Sequence, residues 1–489
     1  MKSTFAFNNF NVCARGRKNQ RHSVTSQLVT TGDDPPARFP LYNYNGAGTM
    51  AENFPSETLK TTRRSFAAAL GLAAGQARAA REALALDGGP KAVNIPAAEQ
   101  QAVSRWPRYG PAEKEAIHAL MDSNRYYDEN ARFEQAWKDY LGAKYVKSHC
   151  NCTSALTSMF FALDLPPGSE IMAPSYTFFA TILPMRFFGY VPIFVDSDPR
   201  TCCFDLEDAK RKLTPRTKAM IPMHAWGLPC EMDHIMDFAR QKGLIVLEDA
   251  AQAHGASMQG KKVGNWGEIG VFSFQTSKVL PSVEGGMGVY QTRELYERAT
   301  AFGHYEAPPN FPQDSPNRKY EGTGFGQKYR MHPFAAAVAR KQLESMDERN
   351  ALVESQLRRL NSRLLELPGL SEPRRRPDQV RVYYYANMLF VDQKKAGFSR
   401  ETLVKALKAE GVPASVWIYP EQHKFAIYSE EKWWHHKPAV PQALAGTEQI
   451  NRTHLFIPLM YQEAPELIEQ YARAFEKIWA NRDKLARFG

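Results

Sequence analysis

Short apolar segments alternate with stretches of helical periodicity between residues 147 and 290. This alternation is typical of an α/β domain whose sheet is mainly parallel. We predict strands at residues 145–147, 170–173, 191–195, 219–223, 244–247 and 269–274. A chain of 489 residues leaves room for at least one further domain.

Several of the predicted strands end at a polar or ionisable residue. Asp196, His224 and Asp249 follow three of them, and Lys278 lies four positions past Phe274. In open α/β sheets, ligands bind outside the carboxyl ends of the strands. We therefore expect chemistry at these positions, and Asp249 and Lys278 are the pair to compare.

The strand that leads to Asp249 is apolar until its acidic end, Leu-Ile-Val-Leu-Glu-Asp. An aspartate there can face the pyridine nitrogen of pyridoxal 5′-phosphate (PLP) and keep it protonated, which makes the ring an electron sink. A helix cap or a metal ligand also fits Asp249 taken alone.

Lys278 lies in a small polar turn after the strand at 269–274. A lysine beside a cofactor ring can lose its proton, attack the aldehyde and form an imine. Glu284, Gly285 and Gly286 follow, and their backbone can pass close to the lysine and the ring. The alternative is a solvated surface lysine.

Residues 151–156, Asn-Cys-Thr-Ser-Ala-Leu, open a predicted helical run at 156–163. The N–H groups of a helix N-terminus, together with Thr and Ser hydroxyls, can bind a phosphate. An ordinary capped helix fits the same residues. In residues 174–181 an aromatic side chain could stack on a pyridine ring, or it could belong to the core.

The net charge of +10 does not indicate a nucleic-acid partner. Residues 1–81 contain 11 Lys and Arg against 4 Asp and Glu, so most of the excess lies in this leader. The six cysteines are too few and too irregular for a disulfide scaffold, form no zinc-type CxxC pair, and are predicted to be free thiols.

The leader, residues 1–81, shows no sustained periodicity over its first 60 residues and is predicted to be mostly disordered. Residues 62–79 contain Arg63-Arg64, a mild apolar run and Ala77-Arg78-Ala79, the order of a twin-arginine export signal. The run is too short for a stable membrane anchor. We predict export to the periplasm; the alternative is an Ala-rich helix on a cytoplasmic protein.

Seven ordered motifs resemble the DegT/DnrJ/StrS family of sugar aminotransferases over residues 85–485. They are TSAL at Thr153, PSYTFFAT at Pro174, VDSDP at Val195, EDAAQAHGA at Glu248, FSFQTSK at Phe272, EGGM at Glu284 and GQKYRMHP at Gly326. The resemblance implies a fold-type I PLP enzyme. It has a large PLP-binding domain, here 85–341, and a smaller α+β domain at 342–489, where helical patterns at 343–367 and 464–485 surround a strand-like 380–391.

The resemblance also implies roles for individual residues. Lys278 would carry PLP as a Schiff base, Asp249 would pair with the pyridine nitrogen, Gln252 would bind the ring hydroxyl side and Phe178 would stack on the ring. The phosphate would be held by Thr153, Ser154, Ser273 and the amide of Cys152, which replaces the usual glycine. Lys328, where many members have asparagine, would reach the phosphate of the partner in a homodimer with shared active sites.

The implied reaction moves an amino group from glutamate or glutamine to a keto-sugar or keto-cyclitol. Residues 84–91 resemble members that act on cyclitols, which favours an inosose-like acceptor. Residues 417–423 would help to line the acceptor pocket, unless they are an ordinary strand-to-loop transition.

Two alternatives use the same fold. A PLP-dependent sugar dehydratase commonly has histidine in place of the lysine or an iron-sulfur cluster, whereas this chain has Lys278 and no suitable cysteine set. A non-catalytic regulatory protein would not need Lys278, Asp249 and Gln252 together. A third possibility is a binding module that the leader attaches to a membrane.

Overall fold

The computed structural model of the chain describes residues 82–485. The predicted leader, including the export signal at 62–79 and Cys13, lies outside the described residues. The five cysteines within 82–485 are all free, as predicted for them. No helix in this part of the chain is long and apolar enough to cross a membrane.

The described strands and helices follow one another in a largely alternating order. The strands are β1 (Tyr145–His149), β2 (Glu170–Pro174), β3 (Val191–Val195), β4 (Thr217–Met220), β5 (Ile245–Asp249), β6 (Ser257–Met258), β7 (Lys261–Lys262), β8 (Ile269–Ser273), β9 (Gly286–Tyr290), β10 (Leu370–Ser371), β11 (Gln379–Val380), β12 (Asn387–Val391) and β13 (His454–Ile457). The α-helices are α1 (Ala97–Ser104), α2 (Pro111–Ser123), α3 (Asp128–Leu141), α4 (Cys152–Leu163), α5 (Leu206–Lys212), α6 (Met232–Lys242), α7 (Arg293–Ala301), α8 (Pro333–Glu344), α9 (Met346–Leu364), α10 (Gln393–Ala396), α11 (Arg400–Ala409), α12 (Ala426–Ser429), α13 (Ala445–Thr453), α14 (Pro465–Ala480) and α15 (Arg482–Leu485).

Seven strands form the large sheet in the order β1-β9-β8-β5-β4-β2-β3. β9 is antiparallel to both of its neighbours, and the remaining pairs are parallel. The predicted α/β fold with a mainly parallel sheet is therefore confirmed. β5 and β8 are adjacent, so Asp249 at the end of β5 and the turn after β8 lie at the same edge of the sheet.

A three-stranded antiparallel sheet, β10-β12-β13, forms the centre of the C-terminal part. Its core includes Leu360 of α9, Leu389 of β12 and Phe475 of α14, all fully buried. Leu84 and Val93 belong to the same hydrophobic cluster. The segment at the start of the described chain therefore packs on the C-terminal part, and the domain boundary near residue 342 stays a prediction.

The structure corrects several element boundaries. The strand predicted at 219–223 is displaced, since β4 ends at Met220 and Pro222 has no N–H for the ladder. The helix predicted at 343–367 is present as α9 (Met346–Leu364), but residues 343 and 344 belong to the end of α8, since Ser345 has a non-helical backbone. The helix predicted at 464–485 is likewise divided, into α14 and α15.

Candidate active site

Lys278 is held by contacts at both ends of the residue. Its backbone carbonyl accepts a hydrogen bond from the indole Nε1 of Trp106 at 3.0 Å. Its Nζ donates to the hydroxyl of Tyr384 at 3.2 Å and lies 4.5 Å from the centroid of the same ring. The amine therefore does not extend freely into solvent, as a surface lysine would.

Asp249 is the last residue of β5 and is only 3% exposed. Its Oδ2 accepts a hydrogen bond from the Thr181 hydroxyl at 2.7 Å, and its Oδ1 accepts from the N–H of Ala251 at 3.0 Å. These two donors fix the orientation of a buried carboxylate at the carboxyl edge of the sheet, where a ligand is expected.

The charges of Asp249 and Lys278 act on the same thiol, that of Cys152 at the start of α4. Burial holds the pKa of this thiol well above its ordinary value, the Asp249 carboxylate raises it further, and the Lys278 amine opposes the rise. Lys278 also acts on His254, whose pKa is lowered to about 3 by burial and then by this charge. Asp249 ends β5 and Lys278 follows the adjacent strand β8, so both residues lie at the sheet edge beside the N-terminus of α4.

The side chain of Asn151 caps the N-terminus of α4 through Ser154. The Asn151 side chain accepts hydrogen bonds from the N–H of Ser154 at 2.8 Å and from its hydroxyl at 3.0 Å. The first N–H groups of a helix have no acceptor within the helix. The N–H groups of Cys152 and Thr153 are therefore the candidates for binding an anion, whereas the Ser154 hydroxyl, predicted to bind phosphate, points to Asn151.

Gly286, the first residue of β9, lies against this helix start. A Cβ atom there would come within 2.5 Å of the Asn151 carbonyl and 2.6 Å of the Cys152 nitrogen. Gly286 pairs directly with Ser273 at the end of β8. A glycine at this position is what allows Ser273 and the N-terminus of α4 to share one corner of the site.

Gln252 is buried and makes contacts that the sequence did not indicate. Its Oε1 accepts a hydrogen bond from the N–H of Trp226 at 2.8 Å, and its Nε2 donates to the Tyr419 hydroxyl at 3.2 Å. The amide thus links the region after β5 to residues 417–423, which the sequence assigned to the acceptor pocket.

Tyr384 belongs to an aromatic cluster, whose members are Trp226, Tyr384, Tyr385, Trp417 and Tyr419. Tyr385 and Trp417 are its exposed members, with ring centroids 6.0 Å apart. Trp226 and Tyr385 have positive φ values of 53° and 68°. Such backbone strain is concentrated at functional sites.

Residues 417–423 are joined to the segment that contains Phe178. The backbone N–H of Gln422 donates to the Ser175 carbonyl at 3.0 Å, and its side chain donates to the Thr177 carbonyl at 2.9 Å. Phe178 itself is 54% exposed and packs against Phe179 with ring centroids 4.2 Å apart. Its ring is accessible to a ligand, and its predicted stacking role stays a prediction.

Lys328 is not part of this group of residues. It is exposed and lines a cavity of about 220 Å³ together with Tyr127, Lys147 and Arg330, and none of the other predicted cofactor residues lines that cavity. The loop that carries Lys328 is anchored beside α4, because the Tyr329 carbonyl accepts a hydrogen bond from the N–H of Cys150 at 2.6 Å.

Sequence reasoning missed Thr181, Trp106 and Tyr384. Thr181 is the last residue of the PSYTFFAT motif and lies three positions after Phe178, the predicted ring-stacking residue. This closeness in sequence could have suggested that Thr181 also faces the site. Trp106 and Tyr384 are 172 and 106 positions from Lys278, and no local pattern indicated either contact.

Comparisons with known proteins identify the class to which this fold and site belong. The profile of the DegT/DnrJ/EryC1/StrS aminotransferase family matches residues 107–476. The chain belongs to this family, as its motifs suggested, and it has the fold-type I architecture of PLP-dependent aminotransferases.

Three relatives illustrate the similarity. GDP-perosamine synthase of Caulobacter vibrioides is 37% identical over 222 residues, which are 45% of this chain and 58% of that protein. L-glutamine:2-deoxy-scyllo-inosose aminotransferase of Streptoalloteichus tenebrarius is 31% identical over 341 residues, 66% of this chain and 79% of that protein. The X-ray structure of an aminotransferase from Psychrobacter cryohalolentis has 28% identity and a TM-score of 0.68, covering 78% of this chain and 99% of its own.

The cofactor of this family is PLP, and the residues of the site fit it. The helix N-terminus and the Gly286 corner match a phosphate, the buried Asp249 carboxylate matches a protonated ring nitrogen, and the Lys278 amine matches an aldehyde. The chemistry of these donors and acceptors thus agrees with the cofactor group by group.

Proposed function

We propose that this protein is a PLP-dependent aminotransferase that moves an amino group from glutamate or glutamine to the carbonyl of a keto-sugar or keto-cyclitol. The observation that carries the proposal is that Asp249 ends β5 and Lys278 follows the adjacent parallel strand β8, at the edge of the sheet where Gly286 meets the N-terminus of α4. A lysine and a carboxylate at one anion-binding helix end are what this cofactor requires.

PLP supplies an aldehyde that condenses with amines and a ring that accepts electrons from the carbon next to the amino group. Lys278 would hold the aldehyde and, once released, its amine would move a proton at the donor α-carbon. Asp249 would hold a negative charge beside the ring nitrogen, and the hydrogen bonds that it accepts from Thr181 and Ala251 fix the orientation of its carboxylate. The N–H groups of Cys152 and Thr153 bind the phosphate.

An inosose-like cyclitol or a related keto-sugar is the proposed acceptor. The relative from Streptoalloteichus tenebrarius is named for 2-deoxy-scyllo-inosose, and the relative from Caulobacter vibrioides for GDP-perosamine. Tyr385 and Trp417 expose their rings in the same aromatic cluster as Tyr384, whose hydroxyl contacts Lys278, and the C–H face of a saturated ring can pack against such an exposed ring.

The test is to load the purified protein with PLP and offer glutamate and glutamine, then keto-cyclitols and nucleotide-linked keto-sugars. We expect ping-pong kinetics and an amino product, whereas a dehydratase would release a deoxy-ketose. Lys278→Ala should abolish both turnover and the visible absorption band of the lysine-bound cofactor. If the band and turnover survived in this variant, the proposal would be wrong. If neither donor changed the spectrum of the unaltered protein, the regulatory alternative would replace it.

We further propose a homodimer with shared active sites, in which Lys328 reaches the partner's phosphate. Two observations support this: Lys328 lies apart from the other phosphate-binding residues, and its loop is anchored to the backbone before α4. Lys328→Ala should weaken PLP binding, and mixing it with Lys278→Ala should restore a fraction of sites in heterodimers. An unchanged affinity for PLP would contradict the assignment.

Export through the twin-arginine signal at 62–79 is also a proposal, supported by the order of its three sequence features. Fractionation of cells that express the full chain, with Arg63→Lys and Arg64→Lys together as the control, tests it. Retention of both forms in the cytoplasm would contradict export.

A further inference from the structure

A chain of hydrogen bonds leads from the backbone after β8 to the amine of Lys278. It runs through Gln275, Ser277 and Tyr384 before it reaches the amine. Tyr384 comes from the C-terminal part of the chain and is 9% exposed, so its hydroxyl is largely protected from solvent. The direction of each bond follows from the first one.

The Gln275 side chain fixes the start of the hydrogen-bond chain. The backbone N–H of Ser277 points at one terminal atom of this amide at 2.8 Å. A backbone N–H can only donate, so the atom that faces it must be the carbonyl oxygen Oε1. An amide carbonyl oxygen can only accept.

The same oxygen lies 2.7 Å from the Ser277 hydroxyl, which must therefore donate to it. A serine hydroxyl has a single proton, so towards Tyr384, at 3.3 Å, Ser277 can only accept. The single proton of the Tyr384 hydroxyl is thereby directed to Ser277. The Tyr384 oxygen consequently faces Lys278 with a lone pair, and the lysine amine donates to it at 3.2 Å.

This direction matters for the reactivity of the amine. A neutral lysine attacks an aldehyde, or removes a proton, with its lone pair. If Tyr384 donated its proton to the amine, that lone pair would be occupied. Because Tyr384 accepts instead, the amine is held by an N–H group and its lone pair stays free for the reaction.

We propose that Tyr384 is a catalytic residue that orients the Lys278 amine through its hydroxyl oxygen, and that Ser277 and Gln275 are positioning residues that set the direction of its proton. The inference rests on the proposed function, since it needs Lys278 to be the amine that binds PLP. It adds a role for a residue that no sequence motif contains.

The experiment compares Tyr384→Phe with Tyr383→Phe in the full chain. Both changes remove one hydroxyl from neighbouring tyrosines. The Tyr384 hydroxyl contacts Ser277 and Lys278, whereas the Tyr383 side chain packs in the C-terminal hydrophobic cluster that contains Leu84 and Leu389. PLP is added to cofactor-free protein, and the appearance of the visible band of the lysine-bound cofactor is followed by stopped flow. Turnover and the KM for glutamine are measured separately.

We expect Tyr384→Phe to slow the appearance of the band and to lower kcat, each by about 10- to 100-fold, which is what a hydrogen bond to a reacting group contributes. KM should change by less than about threefold, because a hydrogen bond to the reacting amine acts on the reaction step and not on uniform binding of the donor. Tyr383→Phe should match the unaltered protein in all three measurements. Band formation in Tyr384→Phe as fast as in the unaltered protein would overturn the inference.

Ser277→Ala tests the direction of the chain, since it leaves the Tyr384 proton free to turn towards the amine. It should slow band formation less than Tyr384→Phe does, and the double variant should be no slower than Tyr384→Phe alone. Additive effects would show that Ser277 acts independently and would contradict the chain. If the unaltered protein formed no lysine-bound band, the proposed function itself would fail, which distinguishes the two outcomes.

Discussion

The ends of β3 and β5 look alike in sequence, since each strand leads to an aspartate, yet the two carboxylates do different things. Asp196, after β3, accepts hydrogen bonds from the N–H groups of Gly446 and Thr447 and from the Thr447 hydroxyl, all at 2.8 Å. It thus holds the N-terminus of α13 against the large sheet. Asp249 accepts from one hydroxyl and one N–H and faces the site with Lys278.

An aspartate at the end of a strand is therefore not a functional residue by its position alone. An aspartate whose carboxylate is fully used by a helix N-terminus stabilises the fold. An aspartate that is buried, oriented by few donors and close to a lysine can act on a ligand. The partners decide between these roles, and they come from elsewhere in the chain.

Asp249→Asn should have the largest effect on activity. It keeps the size of the side chain but removes its charge, so we expect kcat to fall about 100- to 1,000-fold, as when one preorganised electrostatic contact is lost. Turnover of the PLP-loaded variant, compared with its melting temperature, is the measurement. A kcat within about threefold of that of the unaltered protein would show that Asp249, like Asp196, has a structural role and not a catalytic one.

Asp196→Ala should lower the stability of the fold and leave turnover nearly unchanged. It leaves the N-terminal groups of α13 without their acceptor, and the free energy of unfolding should fall by about 1–3 kcal/mol. Urea unfolding measures this change, with Asp196→Asn as the milder control because one acceptor oxygen is kept. Turnover of the folded fraction should change by less than about threefold; a larger loss would give Asp196 a part in catalysis.

Thr181→Val tests how strongly Asp249 depends on its orientation. The variant keeps the shape of the side chain and removes the hydroxyl that donates to Oδ2. We expect kcat to fall about 10-fold, which corresponds to one hydrogen bond to a charged group. Thr181→Ser keeps the hydroxyl and should retain most of the activity, and equal losses in both variants would refute an orienting role.

His254→Phe should have the smallest effect at neutral pH, and its effect on stability should grow as the pH falls. The pKa of His254 in the folded protein is about 3, because burial and the Lys278 charge lower it. In the unfolded chain, the same histidine binds a proton below about pH 6.5, which favours unfolding. The contribution of neutral His254 to the free energy of unfolding is therefore complete above about pH 6.5 and is lost as the pH falls towards 3.

Phenylalanine cannot bind this proton and fits among Trp137, Phe272 and Phe274, which surround the ring. Between pH 6 and 4, the variant should therefore lose less stability than the unaltered protein, by about 1.4 kcal/mol per pH unit. Urea unfolding at several pH values measures the slope. Parallel slopes for the two proteins would exclude this titration.

Much of the fold was predictable because it follows local rules. The apolar runs at β2, β3, β5 and β8 identified the parallel strands within one or two residues, since strands buried on both faces are continuously apolar. β9 was not predicted, because its sequence, Gly-Met-Gly-Val-Tyr, lacks a strand pattern. Gly286 is explained by the closeness of Asn151 and Cys152, and Gly288 by the closeness of the Tyr290 side chain.

Local sequence was enough to predict β2, β3, β5 and β8, the positions of Asp249 and Lys278 after two of these strands, and the family motifs that predict PLP, because each depends on residues that are close together in the chain. The tertiary structure was needed to show that Asp196 binds the N-terminus of α13 and to bring Trp106, Thr181 and Tyr384 to the site. The contacts of the last three join residues 68 to 172 positions apart. A hydrogen bond depends on distance and direction in space, and no pattern of neighbouring residues encodes either across such separations.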